Sequence, residues 1–168
     1  LAGALAYPGT RWVMARAELK ALKQSTLLTF FKICSDQGLR KDRDFSYSSM
    51  DGVVRLFDTD SEIYLRELKA NPSDPEFDKL GSTEYTGAFI DEGSQISFKG
   101  YNVLTSRLRY RLEQYNLVPK LLICSNPTKN FLHYEFYKPW KDKSLKPYRQ
   151  LVQALVHDNR HISPQYID

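Results

Sequence analysis

Apolar positions along this chain change their period several times, and the changes mark its elements. Residues 11–16 form a short apolar run with an arginine at each end, the pattern of a buried strand. The run follows Tyr7-Pro8-Gly9-Thr10, a turn composition. From 17 to 33, Leu19, Leu22, Leu27, Phe30 and Phe31 recur at helical spacing with Lys20, Lys23 and Gln24 between them, which predicts a helix. Residues 42–50 are polar and read as irregular. Runs at 53–57 and 62–66 flank Asp58-Thr59-Asp60-Ser61 and predict a β-hairpin. Asn71-Pro72-Ser73-Asp74-Pro75 then opens a loop that continues to 82.

Two later runs, 85–90 and 120–124, are continuously apolar and stop abruptly at polar residues, as central strands of a parallel sheet do. Between them, Val103, Leu104, Leu108 and Leu112 give 101–115 a helical period, long enough for the crossover that joins parallel neighbours. A short helix is predicted over 131–137, a further strand over 148–156, and an exit segment over 158–168. The whole predicts an α/β fold, a mostly parallel sheet flanked by helices and carrying a β-hairpin insertion.

The length of 168 residues, 42% of them hydrophobic, suits one domain with a real core. Leu1–Ala6 is apolar and lacks an initiator Met; it reads as the tail of a helix in a longer reading frame. No stretch approaches the ~20 apolar residues that a membrane span needs, so a soluble protein is expected. Cys34 and Cys124 are not spaced as a metal site, and Cys124, in an apolar run, reads as a buried reduced thiol in a reducing cytoplasm. His133, His157 and His161 likewise have no metal spacing and read as structural, and the scattered aromatics read as core filling. A net charge of +4 is compatible with an acidic polymer as partner without requiring one.

Candidate chemistry collects where strands end, because ligands of open parallel sheets bind at the carboxyl ends of their strands. Asp91 and Glu92 follow the run 85–90. Adjacent acids there suit nucleotide hydrolysis, one carboxylate holding Mg²⁺ and the other orienting or activating a water. An acidic pair is also an ordinary solvated strand end. Ser125-Asn126-Pro127 closes the run 120–124, where a short polar side chain could sense a γ-phosphate; the same triplet is an ordinary turn initiator.

Taken in order, Arg11–Arg16, Ser25 in the following helix, the hairpin, residues 86–92 and residues 121–127 resemble the ATPase domain of phage large terminase subunits. His157-Asp158-Asn159 with Ile162, Pro164, Tyr166 and Ile167 is similar to the stretch by which that family leaves the ATPase domain for a linker and nuclease domain. The resemblance implies a RecA-like P-loop NTPase of the additional-strand, catalytic-glutamate class. Its ATPase domain would occupy 1–156, and 157–168 would begin the linker. It also implies roles: Asp91 as the Walker B ligand of Mg²⁺, Glu92 as the catalytic glutamate, and Ser125 and Asn126 as a coupling motif beside ATP.

The chain departs from the family in one respect. It contains no Gly-rich loop ending in Gly-Lys-Ser/Thr, whose amides and lysine cradle phosphates. Family order places that loop ahead of Leu1, so this segment alone is expected to bind ATP poorly. The nuclease of the family falls outside it too.

The family employs an arginine against charge on the transferring phosphoryl group, and Arg16 and Arg66, each ending a predicted strand, are the two candidates. Arg107, Arg109 and Arg111 fall in the predicted helix 101–115, where only Arg107 and Arg111 share a face. Lys138, Lys141, Lys143 and Lys146 form a second basic stretch. Either could track phosphates, and either could be a solvated surface.

The resemblance therefore implies a viral DNA-packaging ATPase of the host cytoplasm. Its partners would be double-stranded DNA, a portal protein, a small terminase subunit and further copies of itself in a ring. The alternatives are a different RecA-like motor such as a helicase, or a non-catalytic nucleic-acid-binding or assembly module with the same fold.

Overall fold

The computed structural model describes residues 1–158 and divides them between two compact units, Leu1–Asn126 and a second that starts at Pro127. The first unit contains a six-stranded sheet: β1 (Arg11–Arg16), β2 (Phe45–Ser48), β3 (Val53–Leu56), β4 (Glu62–Glu67), β5 (Gly87–Ile90) and β6 (Lys120–Ile123). Their spatial order is β2-β3-β4-β1-β5-β6. β4, β1, β5 and β6 run parallel, and β2 and β3 add an antiparallel edge. The mixed α/β class and mostly parallel sheet read from the sequence are therefore present.

β1 is central because it can be apolar on both sides: Val13, Met14 and Ala15 are all buried. Side chains alternate between faces along a strand. On one face Trp12 and Met14 of β1, Ile63 and Leu65 of β4 and Phe89 of β5 pack with Leu22, Leu27, Phe30 and Cys34. Those last four belong to α2 (Leu19–Gln24) and α3 (Thr26–Asp36). Burying a leucine such as Leu22 or Leu65 stabilises the fold by about 2 kcal/mol. α1 (Ala2–Ala6) adds Ala4 to the same cluster. A Cβ at Gly3 would sit 2.3 Å from the Trp12 ring and one at Gly87 2.6 Å from it, so two glycines make room for the indole.

Several elements differ from the sequence reading. The helix expected over 17–33 is two helices, broken at Ser25, whose φ of -126° and ψ of -76° are not helical. The irregular stretch contains β2, in which Phe45 and Tyr47 alternate with Ser46 and Ser48; pairing with β3 organises a period that is too short to stand out alone. The loop after Asn71 holds a one-turn helix, α4 (Asp78–Gly81), which buries Leu80. The crossover helix α5 begins earlier and stops sooner, at Phe98–Ser106, where Ser97 caps it by accepting the Gly100 N–H. Arg107, Arg109 and Arg111 thus follow the helix, and Arg111 has a left-handed φ of 53°. Arg109 pairs with Glu84 at 2.7 Å, and Arg111 lies over the Tyr110 ring.

In the second unit a π-turn (His133–Tyr137) runs into α6 (Lys138–Lys141), in the place expected for a short helix. The strand expected over 148–156 is irregular up to a 3₁₀ turn, Val156–Asp158. A strand exists only through pairing, and among the described residues this unit offers no other strand. Most of the exit segment lies outside the described residues.

Candidate functional site

Three parallel strands deliver the site from their carboxyl ends. Beyond the strands, hydrogen bonds continue the sheet: Asp91 N–H donates to Ala15 O and Cys124 N–H to Ile90 O, both at 2.9 Å. Gly93 N–H then donates to Cys124 O, also at 2.9 Å, so the loop after β5 is tied to the end of β6. The backbone of Glu92 is left-handed, with φ 53° and ψ 50°. A non-glycine residue there carries on the order of 1 kcal/mol of strain or more, and such strain persists where the surroundings impose it.

Arg16, the last residue of β1, reaches both acids. Its Nη1 lies 3.8 Å from Oδ2 of Asp91 and its Nη2 lies 3.7 Å from Oε1 of Glu92. The Arg16 side chain is 14% exposed and the two acids 26% and 31%, so one cation sits among two carboxylates in a partly dry setting. Both separations exceed hydrogen-bond length, and Nε of Arg16 is buried without a hydrogen-bond partner. Asp91 is held otherwise. Its Oδ1 accepts the Glu92 N–H at 3.0 Å, and its Oδ2 accepts the Thr26 hydroxyl at 2.5 Å.

Arg66 is placed differently. It is in register with Ala15, not with Arg16, so alternation turns its side chain to the other face of the sheet. There Nε donates to the Tyr85 hydroxyl at 3.0 Å and the guanidinium stacks 4.7 Å from the centre of the Tyr64 ring. Ser125 and Asn126 are exposed at the end of β6, and the Ser125 hydroxyl donates to the Asn126 carbonyl. The site thus brings together Asp91, Glu92 and Arg16, with Ser125 and Asn126 linked to them through the Gly93–Cys124 hydrogen bond.

Two features lie beyond the sequence reading. Periodicity alone makes Thr26 an interior helix position; the available signal is the Ser25-Thr26 pair, whose residue types favour helix starts over helix interiors. Cys124 is exposed and Cys34 is the buried thiol, because β6 is an edge strand whose Leu122 is also 62% exposed. The Cys124 thiol is pushed above its ordinary pKa by local burial and, secondarily, by the Asp91 carboxylate.

Among the described residues no group of three or more His, Cys, Asp or Glu could hold a metal ion by itself. Mg²⁺ is commonly held by one or two carboxylates when phosphates and water supply the other oxygens, and the carboxylates of Asp91 and Glu92 fit that donor chemistry. Among the described residues no helix is long and apolar enough to cross a membrane.

No family model and no curated protein matches the sequence. Solved structures do. The large terminase of a thermophilic bacteriophage superposes with a TM-score of 0.75 at 19% identity, over 96% of this chain and 37% of that one. The same terminase with ADP gives 0.74 at 17% identity over 96% and 36%, and with ATP-γ-S 0.68 at 16% over 98% and 36%. The chain therefore has the fold found in phage large terminases and spans a little over a third of their length.

Proposed function

We propose that this chain is the nucleotide-hydrolysing part of a viral DNA-packaging motor, a large terminase subunit of the catalytic-glutamate class. The observation that carries the reading is the convergence of Arg16, Asp91 and Glu92 at the carboxyl ends of β1 and β5, in a fold shared with a terminase solved with ADP and with ATP-γ-S.

Mg²⁺, bound with the nucleotide, would draw charge from the phosphate oxygens. Asp91 is the Walker B residue that would hold it. Glu92, one residue on, aims its carboxylate from a left-handed backbone and orients the attacking water, accepting its proton. Arg16 compensates two like charges while the site waits, and its unspent N–H groups turn toward the phosphoryl group that gains charge in the transition state. Ser125 and Asn126 read the outcome: a shift at Glu92 reaches them through Gly93 N–H and Cys124 O.

The motor would act on double-stranded DNA in the host cytoplasm, as a ring of copies on a portal with a small terminase partner. Residues 1–156 belong to the ATPase domain and 157–168 begin the linker. The test is DNA-stimulated ATP hydrolysis by the full-length protein on its portal, wild type against Glu92→Ala. Turnover falls by about 10²- to 10⁴-fold while nucleotide binding persists. Equal turnover in both proteins would remove Glu92 from the catalytic role, and absence of turnover in both would hand the fold to a non-catalytic assembly module.

A further inference from the structure

Thr26 stands 65 residues from Asp91 in sequence, yet its hydroxyl donates to Oδ2 of Asp91. A threonine in a helix ordinarily donates to the carbonyl one turn back. Thr29 does so, to Ser25 O. Thr26 is free to reach outward because it opens α3, after the break at Ser25. The break itself is held: Ser25 N–H closes α2 on Ala21 O, and Thr29 N–H reopens the ladder on Ser25 O. Leu27, Phe30 and Cys34 bury α3 in the core, so the position of Thr26 is set by packing.

With Glu92 N–H on Oδ1 and Thr26 on Oδ2, the Asp91 carboxylate is pinned at both oxygens. Each oxygen retains a lone pair. A carboxylate fixed in this way keeps its orientation, so a cation that approaches a remaining lone pair, on Oδ1 or on Oδ2 beside the Arg16 guanidinium 3.8 Å away, meets a preset ligand.

From this geometry we infer that Thr26 is a positioning residue for the divalent cation that arrives with nucleotide, acting through Asp91. The inference rests on the reading of Asp91 as the cation ligand. Groups that orient a ligating carboxylate are worth about 10- to 100-fold in metal affinity. The helix break at Ser25 is then part of the site, since an unbroken helix over 17–33 would commit the Thr26 hydroxyl to its own helix.

The experiment uses the full-length protein with ADP and Mn²⁺ as the probe, and reads Mn²⁺ affinity by electron paramagnetic resonance. Thr26→Val weakens Mn²⁺ binding about 10- to 100-fold, Thr26→Ser restores it, and ADP affinity without metal is unchanged. Should the valine variant fail to fold, Thr26→Ala replaces it with the same expectation. If Asp91→Asn loses Mn²⁺ while Thr26→Val binds it like wild type, the role of Thr26 is overturned and the site stands. If Asp91→Asn itself binds Mn²⁺ normally, the assignment of Asp91 falls, and that of Thr26 with it.

Discussion

Arg16 ends β1 and Arg66 is the penultimate residue of its parallel neighbour β4, and the two leave the sheet on opposite faces, because Arg66 is in register with Ala15, one residue before Arg16. Two arginines that look equivalent in sequence are thereby separated by a single step of strand register. One meets Asp91 and Glu92; the other is held by Tyr64 and Tyr85.

The two should respond differently to removal. Arg16→Ala takes away the only cation within 4.0 Å of the acidic pair among the described residues and should lower ATP turnover of the full-length protein on the order of 10²-fold. Arg66→Ala should leave turnover near wild type and cost about 1 kcal/mol of stability through its lost stacking and hydrogen bond. Steady-state hydrolysis beside thermal melts separates the two effects. A folded Arg66→Ala protein without turnover would move the functional arginine to the other face.

The left-handed backbone at Glu92 reverses an ordinary order of stability. Glycine usually destabilises relative to alanine by enlarging the freedom of the unfolded chain. At φ 53° and ψ 50° alanine meets the steric cost that glycine avoids. Glu92→Gly should therefore be more stable than Glu92→Ala by about 1 kcal/mol, and both should be inactive. Denaturant melts of the two variants decide it, and an alanine variant that is the more stable would mean that the loop relaxes once the carboxylate is gone.

The central strands were legible because their signal is local: 85–90 and 120–124 are apolar runs closed by polar residues, and the acidic pair lies at the end of one of them. What stayed hidden depends on contacts remote in sequence. Within 17–33 the break at Ser25 is announced by the residue types of Ser25 and Thr26 and not by periodicity, since the apolar spacing of Leu22, Leu27 and Phe30 runs straight across it. The helix read over 101–115 overran its end, since Leu108 continues the period although α5 has stopped at Ser106. The choice between Arg16 and Arg66 needed the register of β1 with β4, and exposure of Cys124 needed the position of β6 at the edge.

Cys124 offers a reporter on Asp91. Its thiol is accessible, yet local burial and then the Asp91 carboxylate push its pKa up. Alkylation proceeds through the thiolate, so near pH 8 iodoacetamide should label Cys124 more slowly than a free cysteine, the rate climbing as pH rises toward the shifted value. Asp91→Asn removes the second cause, lowers the pKa part of the way and should speed labelling at fixed pH. Cys34, buried and raised chiefly by that burial, should remain unlabelled until the chain unfolds, which lets mass spectrometry assign the signal to one thiol. Identical pH profiles for wild type and Asp91→Asn would show that the field of Asp91 does not reach the end of β6, and would weaken the link from the acidic pair to Ser125 and Asn126.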